Sequence, residues 1–164
     1  MTEPLSPDRP PCPHLTASPE TGDLVIIAVG NSLVVEDSAA LTLLDRLSER
    51  SGVCKFAVGI YTSVIPAIIA CHRAYLIIDA MPEDEETSTF SLLPLTAAVL
   101  DNRSPDNPGL RASHGLSFMD ELRILSRSSQ TLPEGYFLGV SSNRIDDYLR
   151  SLEQALEQGL VHRS

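Results

Sequence analysis

Lys and Arg are scarce in this chain: 12 against 22 Asp and Glu in 164 residues, a formal net charge of -10 and a pI near 4.7. That deficit excludes a phosphate backbone as the main partner, because no surplus of cations exists to neutralise one. Cysteine is scarce too. Cys12, Cys54 and Cys71 are an odd set without a CxxC pair, which fits neither a disulfide framework nor a structural zinc site, and three free thiols are expected, two of them buried. No apolar run approaches the roughly 20 residues of a spanning helix, and no basic stretch followed by an apolar core opens the chain. A cytoplasmic protein without a membrane partner is the expectation. There is no GxGxxG, no P-loop and no GxSxG elbow, so the usual marks of dinucleotide, phosphate and serine-hydrolase sites are missing.

What is present fits one folded domain behind a leader. The hydrophobic content of 43% and mean hydropathy of +0.03 suit a globular chain with a real core. Residues 1–22 hold six of the twelve prolines among polar residues, which rules out a helix or a sheet strand and predicts a disordered leader. The domain is then expected over 23–162. Within the leader, Cys12 and His14 make a flexible pair without partners, weak as a metal site.

The chain is organised around Leu24 to Asp37. Leu24-Val25-Ile26-Ile27-Ala28-Val29 is an uninterrupted, partly β-branched run, which suits a parallel strand covered on both faces. It stops at Gly30-Asn31, residues that tolerate a tight exit from a sheet, and delivers Glu36 and Asp37. Leu41, Leu43, Leu44 and Leu47 then recur at helical spacing, so the acidic pair precedes a helix expected to reach about Arg50 and to close at Ser51-Gly52. Cys54 to Ile60 reads as a second strand. Val64 to Cys71 reads as a short helix, with Pro66 in its first turn.

Ala74-Tyr75-Leu76-Ile77-Ile78-Asp79-Ala80 repeats the theme of a buried strand ending on a carboxylate. In a doubly wound sheet such ends share one edge, so Asp79 can approach Asp37. Taken alone, Asp79 equally suits a turn cap or a partner for a cation. Pro82 to Glu86 is an acidic surface run, Thr89 to Leu95 an edge strand, and Asp101 to Gly109 a loop by composition. Ser113 to Leu122 opens a helix whose apolar face is Leu116, Met119, Leu122 and Leu125. His114 stands at its start as either a capping residue or a functional group beside a loop. Tyr136 to Val140 is the last strand and Ile145 to Leu160 a closing amphipathic helix. The order gives an α/β three-layer sandwich with a mostly parallel twisted sheet of about five strands flanked by helices.

Three pieces in this order resemble the NiFe-hydrogenase maturation endopeptidases: Gly30-Asn31 with Glu36-Asp37, then Leu76-Ile77-Ile78-Asp79-Ala80, then Ser113 to Leu122 with its histidine. The resemblance spans about Leu24 to Leu160. It implies a phosphorylase/hydrolase-like fold and an endopeptidase that removes the C-terminal tail of a nickel-loaded NiFe-hydrogenase large-subunit precursor. It carries the metal-contacting and catalytic roles onto Asp37, Asp79 and His114, with nickel supplied by the precursor, no organic cofactor, and a monomeric enzyme. Two carboxylates and an imidazole suit a divalent transition metal while leaving positions open.

This chain departs from the pattern at two turns. The family's Gly-Gly-Thr turn after the second strand is replaced by Gly59-Ile60-Tyr61-Thr62, and a later Pro-Gly-Thr turn by Glu86-Thr87-Ser88-Thr89. The alternative is therefore a non-catalytic member acting as a nickel-dependent binding or assembly factor for the same large subunit. A third reading, a small-molecule domain using Gly30-Asn31 as a phosphate turn, ranks low, because carboxylates at a strand tip repel phosphate.

Overall fold

The computed structural model describes residues 24–82, 90–101, 117–128 and 132–160. The expected leader, the acidic run after Pro82, the loop after Asp101 and His114 lie outside them. Five strands form one sheet: β1 Leu24–Val29, β2 Val53–Gly59, β3 Ala74–Ala80, β4 Leu93–Pro94 and β5 Glu134–Val140, in the order β2-β1-β3-β5-β4. The first three strands and β5 run parallel, and β4 pairs antiparallel with β5. The mostly parallel sheet read from the sequence is the sheet observed.

Strand alternation sends residues to two cores. Leu24, Ile26 and Ala28 of β1 and Leu76 and Ile78 of β3 face α1 (Ala39–Arg46) and α5 (Ile145–Glu157), where Leu43, Leu44, Tyr148 and Leu152 meet them. Val25, Ile27 and Val29 of β1 and Tyr75 and Ile77 of β3 face the opposite layer. That layer is α2 (Ile65–Ile69), α3 (Ala97–Asp101) and α4 (Ser117–Arg127), with Ile65, Ile69, Leu100, Met119 and Leu122 packed inward. Both β1 and β3 are buried along their whole length. Each fully buried Ile or Leu contributes about 1.5–3 kcal/mol relative to exposure.

Some boundaries move for identifiable reasons. Helix α1 stops at Arg46 rather than near Arg50. Leu47 turns into the core in an extended conformation, and its carbonyl accepts from Lys55 Nζ at 2.9 Å. Residues 48–50 are held by α5 instead, through the Ser48 N–H to Glu153 Oε1 at 2.8 Å and the Arg50–Glu153 ion pair. Gly52 does adopt a left-handed φ of 77°, but it serves the turn into β2. Its carbonyl accepts the Leu24 N–H at 3.1 Å. Strand β5 begins at Glu134, two residues before the expected Tyr136, and α3 is a short helix that periodicity did not reveal.

One cysteine expectation fails. Cys71 is disulfide-bonded, while Cys54 is a half-buried free thiol. Disulfides answer to proximity in space, and spacing along the chain carries little of that information.

Candidate functional site

Connections from β1 run to β2 on one side, whereas β3 joins the sheet on the other. The carboxyl ends of β1 and β3 therefore flank the point where strand order reverses, the usual place for a crevice in an open α/β sheet. Both predicted acids lie there. Ala28 pairs with Ile78, so Asp79 stands across from Val29 and the start of the loop that ends on Asp37.

Asp79 is 0% exposed. It shares a sheet face with Tyr75 and Ile77, and its Oδ1 accepts the Ala80 N–H at 2.8 Å. A carboxyl group on a strand buried along its whole length is rare unless it is hydrogen-bonded or bears a charge-linked role. On the far side from β1 its neighbour is Gly139 of β5. The room that glycine leaves is filled by Met81, whose sulfur lies 1.8 Å from where a Gly139 Cβ would stand. The Tyr75 hydroxyl is pushed by burial to a pKa of about 12, so it stays neutral below Asp79 on the same face.

Asp37 is 9% exposed and closes a compact loop. The Asn31 N–H donates to Asp37 Oδ2 at 2.8 Å, while the Asp37 N–H donates to the Val34 carbonyl at 3.1 Å. Glycine is required where this loop leaves β1: Gly30 has φ 150°, and a Cβ there would lie 2.1 Å from the Asp37 carbonyl oxygen. Glu36, the other member of the acidic pair, is exposed. Helix α1 follows at once, with Ser38 as its N-cap residue, so the acidic pair does precede a helix as its spacing requires.

Burial reveals two more polar groups that sequence reasoning missed. Of the five buried polar or charged residues among those described, Asp37, Thr62, Asp79 and Ser141 all stand at or just beyond the carboxyl ends of parallel strands. The fifth, His72, precedes β3, and its Nδ1 lies 2.8 Å from the Ile68 carbonyl oxygen. Ser141 donates its hydroxyl to Asn143 Oδ1 at 3.0 Å. The available signal was positional, a small polar residue soon after each apolar run. Single Ser and Thr residues after strands are too common to stand out. Among the described residues no three His, Cys, Asp or Glu side chains group closely enough to hold a metal ion. His114, the third predicted ligand, lies outside those residues.

Comparison with known proteins supplies shape rather than sequence kinship. No family model matches the chain, and no curated protein does. Three solved structures resemble it across most of its length. The hydrogenase maturating endopeptidase HybD from E. coli has a TM-score of 0.61 at 16% identity, covering 83% of this chain and 93% of its own. The [NiFe] hydrogenase maturation protease HycI from Thermococcus kodakarensis KOD1 gives 0.55 at 15%, covering 84% and 91%. The hydrogenase 2 maturation peptidase from Thaumarchaeota archaeon SCGC_AB-539-E09 gives 0.52 at 16%, covering 84% and 97%. Among the described residues no helix is long and apolar enough to cross a membrane. The chain has the fold of the hydrogenase maturation proteases.

Proposed function

We propose that this protein is an endopeptidase of NiFe-hydrogenase maturation, removing the C-terminal tail of a nickel-loaded large-subunit precursor. The observation that carries the reading is the pair Asp37 and Asp79, gathered at the carboxyl ends of adjacent strands in a fold shared with maturation proteases. In this reading both carboxylates and the His114 imidazole contact nickel that arrives seated in the precursor. Hard oxygen donors with one nitrogen donor leave such an ion coordinatively open, so it can stay bound to its own ligands while being sensed. Asp79 has the stronger claim to a positioning function. Its strand is buried along its whole length, whereas Asp37 rests on a loop with some access to solvent.

The test is co-expression with large-subunit precursors, with and without nickel, reading the tail by intact mass. Tail loss that requires nickel and disappears in Asp37→Asn, Asp79→Asn and His114→Ala is the expected result. Normal processing by a folded Asp79→Asn protein would remove that residue from the mechanism. The second reading, a binding factor that does not cut, is favoured by one feature, the bulky Ile60-Tyr61 within Gly59-Ile60-Tyr61-Thr62, in place of glycine in the family's Gly-Gly-Thr turn. A precursor that co-purifies at full length with nickel present would select it.

A further inference from the structure

Exposed large apolar residues are not scattered over this molecule. Among the described residues six of the seven, namely Leu33, Val34, Val35, Ile60, Tyr61 and Val64, fall in two short segments. These segments leave the carboxyl ends of neighbouring strands β1 and β2, which are clamped together where the Gly30 N–H donates to the Gly59 carbonyl at 3.1 Å. Leu33 is 91% exposed, Val35 76% and Tyr61 72%. A local concentration of apolar side chains in water on one rim marks a surface that another molecule covers.

Hydrogen bonds within the loop after β1 hold the backbone that carries Leu33, Val34 and Val35. Asn31 Oδ1 accepts the Leu33 N–H at 3.0 Å and the Asn31 carbonyl accepts the Val34 N–H at 3.1 Å. The Val35 carbonyl accepts both the Ser38 N–H at 3.3 Å and the Ser38 hydroxyl at 2.9 Å. The Asp37 carboxylate ties the loop back to Asn31. With its polar backbone groups committed internally, the loop presents Leu33 and Val35 outward in a fixed arrangement. The same bonds that hold Asp37 in position therefore present the apolar rim beside it.

We propose that Leu33, Val35, Ile60 and Tyr61 form the docking surface for an apolar polypeptide segment of the precursor, the one whose cleavage region reaches Asp37. This rests on the maturation-protease reading. Position selects the occupant: the patch adjoins the candidate site, so the molecule on which the site acts lies against it. Charge narrows the chemistry. The chain carries -10, and exposed Glu36 follows Val35 directly, so an anionic membrane or an acidic peptide is repelled while an apolar segment without net negative charge is accepted.

The experiment measures binding of the full chain to a full-length, nickel-loaded large-subunit precursor from the same source. Leu33→Ser/Val35→Ser and Ile60→Ser/Tyr61→Ser are compared with the wild type and with Ile124→Ser, an exposed apolar residue on α4 that serves as control. The expected result is at least tenfold weaker binding for each double variant and no change for the control. Processing should show a raised KM with kcat preserved, and thermal unfolding should be unchanged. Double variants that bind within twofold of wild type overturn the docking surface while leaving the protease reading intact. A wild-type protein that binds no precursor overturns both. Sedimentation of the protein alone supplies the remaining arm: a dimer abolished by these substitutions makes the occupant a second copy and overturns the proposal.

Discussion

The carbonyl oxygen of Asp37 lies 2.1 Å from where a side chain on Gly30 would begin. Strand β1 thus ends on a residue without a Cβ so that the acid can be drawn back over the strand tip. Gly30→Ala must push the loop outward or distort a backbone already at φ 150°. A loss of about 1–3 kcal/mol is expected, typical of a strained backbone position, together with loss of any activity that depends on Asp37. Urea midpoints of the two proteins check the first, and a midpoint unchanged by the substitution would contradict it.

Acid sensitivity should follow the contact between α5 and the turn before β2. The Arg50 side-chain hydrogen bond, helped by the Ser48 N–H, lowers the Glu153 carboxyl from 4.5 to about 2. A carboxyl group held below its unfolded value stabilises the folded state above pH 4.5, and that contribution fades as pH falls toward 2. Wild type should therefore lose stability more steeply than Glu153→Gln across that window. Urea midpoints taken between pH 5 and pH 2 would show parallel curves were the ion pair inconsequential.

Tyr75 offers the opposite kind of test. Its ring covers Gly135, and its buried hydroxyl has no hydrogen-bond partner among the described residues. An unsatisfied hydroxyl costs on the order of 1–3 kcal/mol, so Tyr75→Phe should leave the protein as stable as wild type or more so. A drop in melting temperature would mean that the hydroxyl is hydrogen-bonded after all.

The core facing α1 and α5 should be sensitive in proportion to burial. Leu152 is fully buried, whereas Leu156, one turn on, is half-buried against the same cluster. Leu152→Ala is expected to destabilise by about 2–5 kcal/mol, and Leu156→Ala by clearly less. Equal losses would show that α5 does not sit as described.

The fold was legible wherever hydrophobic pattern and topology speak together. The uninterrupted runs at Leu24–Val29 and Ala74–Ala80 became the two strands buried along their whole length, because parallel strands covered on both faces need no alternation. Proline at position 94 marked an edge, and β4 is one. Boundaries were less legible: α1 ends early because Leu47 and Lys55 meet across eight residues, and no local pattern contains that contact. The candidate acids Asp37 and Asp79 stood out because a charge at the end of an apolar run contrasts with everything before it. Thr62 and Ser141 offered no such contrast. Nor did Leu33 and Val35, since apolar residues beside a strand read as core until the loop's hydrogen bonds turn them outward.

The two margins of the sheet are unequal. At one side β4 contributes two residues, one of them Pro94, which has no N–H to offer. At the other, β2 runs for seven residues with β1 as its sole strand partner among those described. Strand-to-strand association, whether with a peptide or during aggregation, is therefore directional in this protein: it can propagate from β2 and is blocked at β4. Lys55, midway along β2 and engaged by Glu49 and the Leu47 carbonyl, is the charge that guards that open side.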